Sequence, residues 1–352
     1  MKKHYIIPIF VPHKGCTHDC VFCNQKRITG QIGNVDNTFV EEEIKKYLNT
    51  IPRLDNYIEV SFFGGSFTGL PINEQIELLK PAKAALDNSF IDAIRLSTRP
   101  DYINEEILKI LKEYGVSIIE LGVQSLDNDV LQLSNRGHSR EDVYKSSALI
   151  KEWGFRLGLQ MMIGLPGDSE KKDIQTAKEF VKINPEMVRI YPALVIKDTY
   201  MEDMYKEGIY TPLTLSEAVN ISGKLYLIFE KADINIIRIG LQPTENITEG
   251  RDLVAGPFHP SFRELVESKL LNDMIRYMAS NNAIKSFEIE VNEKMLSKVY
   301  AAKKLYFMNT VKALGMKEIK VKVKEDIPIG TIRLKSEEIS QILSIKDYSL
   351  II

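Results

Sequence analysis

All three cysteines of the 352-residue chain fall within eight positions, as Cys16-x3-Cys20-x2-Cys23, and none occurs elsewhere. Three thiolates on one short loop can bind three corners of an iron–sulfur cube, because thiolate is the soft ligand that iron in such clusters prefers. The fourth iron is then left open. Zinc is the competing metal, since it also accepts closely spaced thiolates and His13 or His18 would complete a Cys3His set. The spacing of three then two, with no second Cys or His pair to close a zinc knuckle, disfavours it. A scaffold or sensor that carries either metal without catalysis is the non-enzyme alternative.

A loop of this kind has to be held by rigid elements. Short runs rich in Ile, Val, Leu and Phe predict strands near Ile6 to Val11, Tyr57 to Phe63, Ala93 to Ser97, Ser117 to Val123, Arg156 to Ile163, Met187 to Tyr191 and Asn235 to Ile239. Helical-period segments lie between them, near Val40 to Asn49, Asn73 to Leu86, Asn104 to Tyr114, Ser139 to Trp153, Lys171 to Ile183 and Leu215 to Lys231. Repeated βα units imply a parallel sheet, so the expected fold is α/β: a TIM-like, partial (β/α)6 barrel over residues 1–255. The rhythm stops near Gly256 and Pro257. Residues 256–352 read as a small α+β appendage: a helix Ser261 to Ala279, a strand Phe287 to Val291, a helix Lys298 to Ala313 and a strand Ile319 to Val323 with its lysines on one face.

Composition narrows the class further. Hydrophobic residues at 44% and charged residues at 27% exclude collagen-like and disordered chains. Pro8 and Pro12 break the apolar opening, so a signal peptide is not expected, and no run approaches ~18 apolar residues, so neither is a membrane span. A cytoplasmic protein with reduced thiols is the expectation. The net charge of −2 gives no global attraction to polyanions, but from Ser261 onward 16 Lys and Arg face 12 Asp and Glu. The last quarter is mildly basic.

The segment Cys16-Thr-His-Asp-Cys20-Val-Phe22-Cys23 resembles the CxxxCxxC signature of the radical S-adenosylmethionine enzymes, including the aromatic residue before the last cysteine. The resemblance implies two cofactors, a [4Fe–4S] cluster on Cys16, Cys20 and Cys23 and S-adenosylmethionine on its open iron. It also implies reductive cleavage to methionine and a 5′-deoxyadenosyl radical, with flavodoxin or ferredoxin as electron donor. In a barrel enzyme the remaining site residues belong at the C-terminal ends of strands. Strand two ends in Phe63-Gly64-Gly65-Ser66, matching the glycine-rich turn that contacts the methionine amino group in the family, although the residues alone also read as a tight turn. The strings STRPD, with Thr98, and GVQSLD, with Gln124 and Ser125, are similar to those of the enzymes related to the Elongator catalytic subunit and to oxygen-independent coproporphyrinogen oxidase. That likeness places Gln124 and Ser125 near the cofactor and Arg136 near its carboxylate, which suits a bidentate guanidinium. Strand five runs into Gly164-Leu165-Pro166-Gly167-Asp168, similar to the turn that packs on adenine; an N-cap turn is the plainer reading.

The Elongator-like branch implies tRNA or other RNA as the substrate, and a small metabolite is the alternative by likeness to the coproporphyrinogen enzymes. The chain departs from the full-length Elongator pattern in its short cysteine loop and in the absence of a glycine-rich acetyl-coenzyme-A loop from its last hundred residues. Acetyl transfer is therefore not expected, and residues 256–352 are read as a substrate-recognition element. His138, His259 and Tyr191 read first as structural residues. Lys14, Lys26 and Arg27 flank the cysteine loop, while Lys317, Lys320, Lys322 and Lys324 read either as a phosphate-facing series or as the wet face of an edge strand.

Overall fold

The computed structural model describes residues 3–11, 16, 18–24, 35–52, 56–241, 247–248, 250–281 and 286–352; His13, Lys14, Lys26 and Arg27 lie outside the described residues. The chain divides into two compact units, residues 1–212 with 242–256 and residues 213–241 with 257–352.

The first unit alternates strand and helix: β1 (Lys3–Val11), α1 (Asn37–Leu48), β2 (Asn56–Gly64), α2 (Ile72–Asp87), β3 (Ala93–Thr98), α3 (Glu105–Glu113), β4 (Val116–Gln124), α4 (Asn128–Leu133), α5 (Arg140–Glu152), β5 (Arg156–Ile163), α6 (Glu170–Ile183) and β6 (Met187–Pro192). Asp36, Asn104, Asp127, Ser139 and Ser169 cap the helices that follow them, each side chain accepting from a backbone N–H of the first turn. Strands β1 to β6 pair in sequence order and all in parallel. This is the expected partial (β/α)6 barrel.

Each strand buries one apolar face. Val60 and Phe62, Ile94 and Leu96, Ile119 and Leu121, Leu159 and Met161, and Val188 and Ile190 are all fully or almost fully buried. The opposite parity is polar: Glu59 on β2, Arg95 on β3, Glu120 on β4 and Arg189 on β6. Arg95 donates to Glu59 Oε2 at 3.0 Å and to Glu120 Oε1 at 2.7 Å, and Arg189 Nη2 donates to Glu120 Oε1 at 2.9 Å. The Arg189 guanidinium also lies 5.5 Å from the Phe63 ring. Phe63 and Arg189 stand four strands apart, a span of ~19 Å on a flat sheet, so the contact requires a sheet curled with this polar face inside. Gly158 on β5 makes room for the ladder, since a Cβ there would sit 2.8 Å from Glu120 Cγ.

Beyond β6 come β7 (Val195–Ile196) and α7 (Tyr200–Lys206), after which α8 (Leu215–Lys231) and β8 (Asn235–Ile239) belong to the second unit. The strand β9 (Leu253–Ala255) returns to the first unit and pairs antiparallel with β7. The second unit continues with α9 (Phe262–Asn281), β10 (Glu288–Val291), α10 (Glu293–Val299), α11 (Leu305–Ala313), β11 (Lys320–Val323), β12 (Thr331–Lys335), β13 (Ser340–Ser344) and α12 (Ile345–Ile351). Its sheet has the order β11-β10-β12-β13, and Ile289, Val291, Ile332, Leu334 and Leu343 pack with Met274, Ile275 and Met278 of α9. The helix expected over Lys298 to Ala313 is instead broken, with Ala302, Lys303 and Lys304 at φ 55°, 53° and 67°. The buried Asn272 Nδ2 and Ser268 Oγ both donate to Val299 O, at 3.1 and 3.4 Å, and so occupy the carbonyl that Lys303 N would need in a continuous helix.

Glu120 is the centre of the buried ladder, and despite burial the Arg189 and Arg95 guanidiniums hold its carboxyl below the usual carboxylate range. Glu120→Leu strands Arg189 and leaves Arg95 with Glu59 alone, and the predicted loss is roughly 3–5 kcal/mol of unfolding free energy in urea titration. A loss under about 1 kcal/mol would show that the ladder is solvated.

Candidate active site

The three cysteines occupy one loop after β1, and that loop is pinned from two sides. Cys23 N–H donates to Cys20 O at 2.9 Å, closing a tight turn around Val21 and Phe22. Val21 N–H donates to Ser134 O at 3.2 Å, Asn135 Nδ2 donates to Asp19 O at 2.8 Å, and Met201 N–H of α7 donates to Val21 O at 2.8 Å. Arg136, buried at 6% exposure, points its Nη1 at Cys20 Sγ, 3.1 Å away, and its Nη2 at Gly122 O. Asn135 and Gly137 on either side of it adopt left-handed φ values of 50° and 74°, which turns the arginine inward. A Cβ on Gly137 would strike the His18 ring at 2.3 Å, so glycine is what lets the two loops meet.

Burial first, then the neighbouring Cys20 and Cys16 sulfurs, push the Cys23 thiol up to about 12. Cys16 Sγ also reaches Ser66 Oγ at 3.4 Å, which joins the cysteine loop to the turn after β2. Gly64 there has φ +106°, and a Cβ would lie 2.4 Å from Val11 O, so the turn closes on β1 only with glycine. Gly65 N–H donates to the same Val11 carbonyl at 3.1 Å.

The other sequence-derived residues divide into two groups. Gln124 ends β4 at a bulge, in the left-handed conformation (φ 71°), and accepts from Gln160 Nε2 at 3.3 Å on the polar inner face. Left-handed backbone at a buried non-glycine residue is strained, and such strain clusters at functional sites. Thr98 Oγ1 pairs with Thr68 Oγ1 at 2.6 Å, and Phe22 packs against the apolar cluster that holds Leu165, Val21 and Tyr210. Ser125 Oγ accepts from Asp127 N–H at 3.2 Å, a local turn contact. Gly164 is tied at both polar atoms, its N–H to Asp168 Oδ2 at 3.1 Å and its carbonyl from Tyr210 Oη at 2.6 Å. His138 is a prop: burial, with Arg136 beside it, pushes it down to about 3, so the neutral ring donates Nε2–H to Val123 O at 3.2 Å. Arg99 is 3% exposed and forked onto Asp101 at 3.0 and 2.9 Å.

Asn135, Gln160 and Asp173 carry no sequence signal of their own. Asp173 is buried against Asp168, and burial first, then the Asp168 charge, push its carboxyl up to about 10. It therefore keeps its proton at neutral pH and shares it with Asp168, whose carboxylate clamps the Gly164 turn.

The donor set fits a [4Fe–4S] cluster. Three thiol ligands lie on one loop, and a guanidinium stands against Cys20 to offset negative charge as thiolates form. Cys16, Cys20 and Cys23 would hold the cluster, leaving its fourth iron to S-adenosylmethionine.

Two outcomes follow from this geometry. The folded chain retains the Asp173 proton from the ordinary aspartate range up to about 10, so this group costs stability as pH rises through that window, by up to ~1.4 kcal/mol per pH unit. Asp173→Asn should melt above the wild type at pH 9, with the gap shrinking towards pH 5; a gap independent of pH would contradict the shared proton. Gly64→Ala should lower iron incorporation on anaerobic reconstitution at least several-fold, and unchanged iron content would show that the turn relaxes freely.

The chain resembles known proteins over most of residues 10–272. A family model described as the Radical SAM superfamily matches residues 10–180, and one described as the Radical_SAM C-terminal domain matches residues 185–272. The tRNA uridine(34) acetyltransferase of Methanocaldococcus jannaschii is 28% identical over 256 residues, covering 61% of this chain and 47% of that protein. Human Elongator complex protein 3 is 28% identical over 204 residues, covering 52% and 37%. Among solved structures, the archaeal Methanocaldococcus infernus Elp3 with an N-terminal deletion superposes with a TM-score of 0.63 at 25% identity, covering 78% of this chain and 64% of that one. The chain spans about half the length of the curated archaeal relatives it matches. It belongs to the radical SAM superfamily, enzymes that take a [4Fe–4S] cluster and S-adenosylmethionine as cofactors.

Proposed function

We propose that this chain reductively cleaves S-adenosylmethionine and directs the resulting radical at RNA, with tRNA the first substrate to test. The observation that carries the reaction class is the placing of Cys16, Cys20 and Cys23 on one short pinned loop with the Arg136 guanidinium against Cys20. Bound there, the cluster supplies the electron that cleaves S-adenosylmethionine to methionine and a 5′-deoxyadenosyl radical.

The chain's own residues bind, orient and shield. Arg136 balances charge at the sulfurs and would meet the methionine carboxylate, while Gly64, Gly65 and Ser66 would take the amino end. Thr98, Gln124 and Ser125 line the approach from β3 and β4. Phe22, with Gly164 and Leu165 in the turn clamped by Asp168, forms the apolar seat for adenine. Reduced thiols are a precondition for this ligand set, which fits the cytoplasm, with flavodoxin or ferredoxin as electron donor. No helix among the described residues is long and apolar enough to cross a membrane.

RNA as the substrate is supported by the names of the relatives, one a tRNA uridine(34) acetyltransferase, and by the basic balance of residues 256–352, which we read as the recognition element. Reconstituted protein incubated with S-adenosylmethionine, reductant and unmodified tRNA is predicted to make several-fold more 5′-deoxyadenosine than without tRNA. Digested tRNA should then contain a nucleoside of altered mass. Cleavage indifferent to RNA, with every nucleoside unchanged, would overturn the RNA reading and favour a small-metabolite substrate.

A further inference from the structure

The outer face of the second unit's four-stranded sheet carries more positive charge than its own carboxylates neutralise. By register, Lys320, Glu288, Lys335 and Ser340 form one row across β11, β10, β12 and β13, and Lys322, Glu290, Arg333 and Ile342 form the next. The residues between them on β10, β12 and β13 fill the core, so these rows point away from it. The carboxylates sit on the central strand and the cations flank them. Each carboxylate is already engaged: Glu288 by Lys322 at 2.6 Å, Glu290 by Arg333 at 2.8 Å, and Asp326 of the following turn by Arg333 at 2.9 Å. Lys320, Lys324 and Lys335 are exposed and, among the described residues, make no ion pair within 4 Å, although Glu288 attracts Lys320 and Lys335 and Asp326 attracts Lys324 at longer range.

Lys324, Arg333, Lys335 and Ser340 ring a recess of about 230 Å³ whose remaining walls are Glu290 and Asp326. Water occupies ~30 Å³ in the liquid, so the recess has room for a tetrahedral oxyanion. Glu290, itself 3% exposed, anchors Arg333 from beneath and fixes the direction of its fork. The unpartnered lysines stand on β11 and β12, two strand spacings or ~10 Å apart, which suits successive charges along a polymer better than one small anion. No aromatic side chain lies in either row, so the face offers no platform for stacking bases. With a net charge of −2, the whole chain has no general pull on polyanions. Attraction has to be local.

We propose that this face binds the phosphodiester backbone of RNA, with the recess bounded by Lys324, Arg333, Lys335 and Ser340 seating one phosphate and Lys320 meeting a neighbouring one. The inference rests on the RNA reading above and assigns the contact surface for that substrate. These are positioning residues: they hold the polymer without reading its bases, and the reaction takes place elsewhere.

The test is fluorescence anisotropy of labelled tRNA against the full chain across a salt series, comparing wild type with the triple variant Lys320→Gln, Lys324→Gln, Lys335→Gln. Each lost phosphate contact removes ~0.7–0.9 from the slope of log affinity against log salt, so with two phosphates assigned to this face the triple variant should lose ~1–2 of slope. Its affinity at low salt should fall tenfold or more, while iron content and RNA-independent cleavage of S-adenosylmethionine stay at wild-type levels. A matched triple of Lys45, Lys46 and Lys80 to Gln, on α1 and α2, should keep the wild-type slope. Equal losses in both triples, or wild-type affinity and slope in the first, would overturn the assignment of this face. Absence of tRNA binding by the wild type at every salt concentration would instead defeat the RNA reading itself, and this surface with it.

Discussion

Bringing three thiolate ligands onto one short, half-buried loop is electrostatically unfavourable before any metal arrives, and the first unit is organised around that cost. Cys23 feels both burial and its two neighbours, so its proton is hard to remove without a cationic group to take the charge. Two responses are visible. Arg136 places a permanent positive charge on Cys20, and the backbone of the loop is tied down at Asp19, Val21 and Cys23, so little conformational entropy is left to lose on ligation. Cys23 is tied to Cys20 within the loop, while the ties at Asp19 and Val21 come from remote segments, Ser134–Arg136 after α4 and Met201 in α7.

The same logic explains the inner face of the sheet. A filled barrel packs its interior with branched apolar side chains, whereas here Glu59, Arg95, Glu120 and Arg189 form a paired ladder beneath Gln124, Gln160 and Tyr191. Charges held this way are expensive to bury and are retained only with good geometry. In return, the face below the site is polar and fixed in place. Arg189 links the ladder to the rim, stacking on Phe63 and reaching the Tyr191 hydroxyl at 3.4 Å. Tyr191 is thus oriented by the ladder as well as by packing, which the sequence alone does not distinguish.

Much of this was legible in the residues. The three cysteines are local in sequence, so their spacing is visible without the fold, and the strand ends follow from the βα rhythm. The alternation in Tyr57-Ile-Glu-Val-Ser-Phe-Phe63 even marks the polar inner face, although the run reads first as a buried parallel strand. What stayed hidden depends on partners distant in the chain. The left-handed backbone of Gln124 arises from a bulge against β5, the role of Asn135 from its reach to Asp19, and the protonation of Asp173 from its burial beside Asp168. The break at Ala302–Lys304 is of the same kind. Local propensity there favours helix, and Asn272 and Ser268 in α9 override it by occupying the Val299 carbonyl. Elements β12, β13 and α12 lie beyond the last strand the pattern predicts, because their alternation is short and half exposed.

The most direct test of the central claim is anaerobic reconstitution with iron and sulfide, followed by metal analysis, dithionite reduction and chromatography after addition of S-adenosylmethionine. The account predicts about four iron atoms per chain and 5′-deoxyadenosine from the wild type, with both lost in Cys20→Ala. Stoichiometric zinc with no iron, or 5′-deoxyadenosine formed equally well by the Cys20 variant, would contradict it.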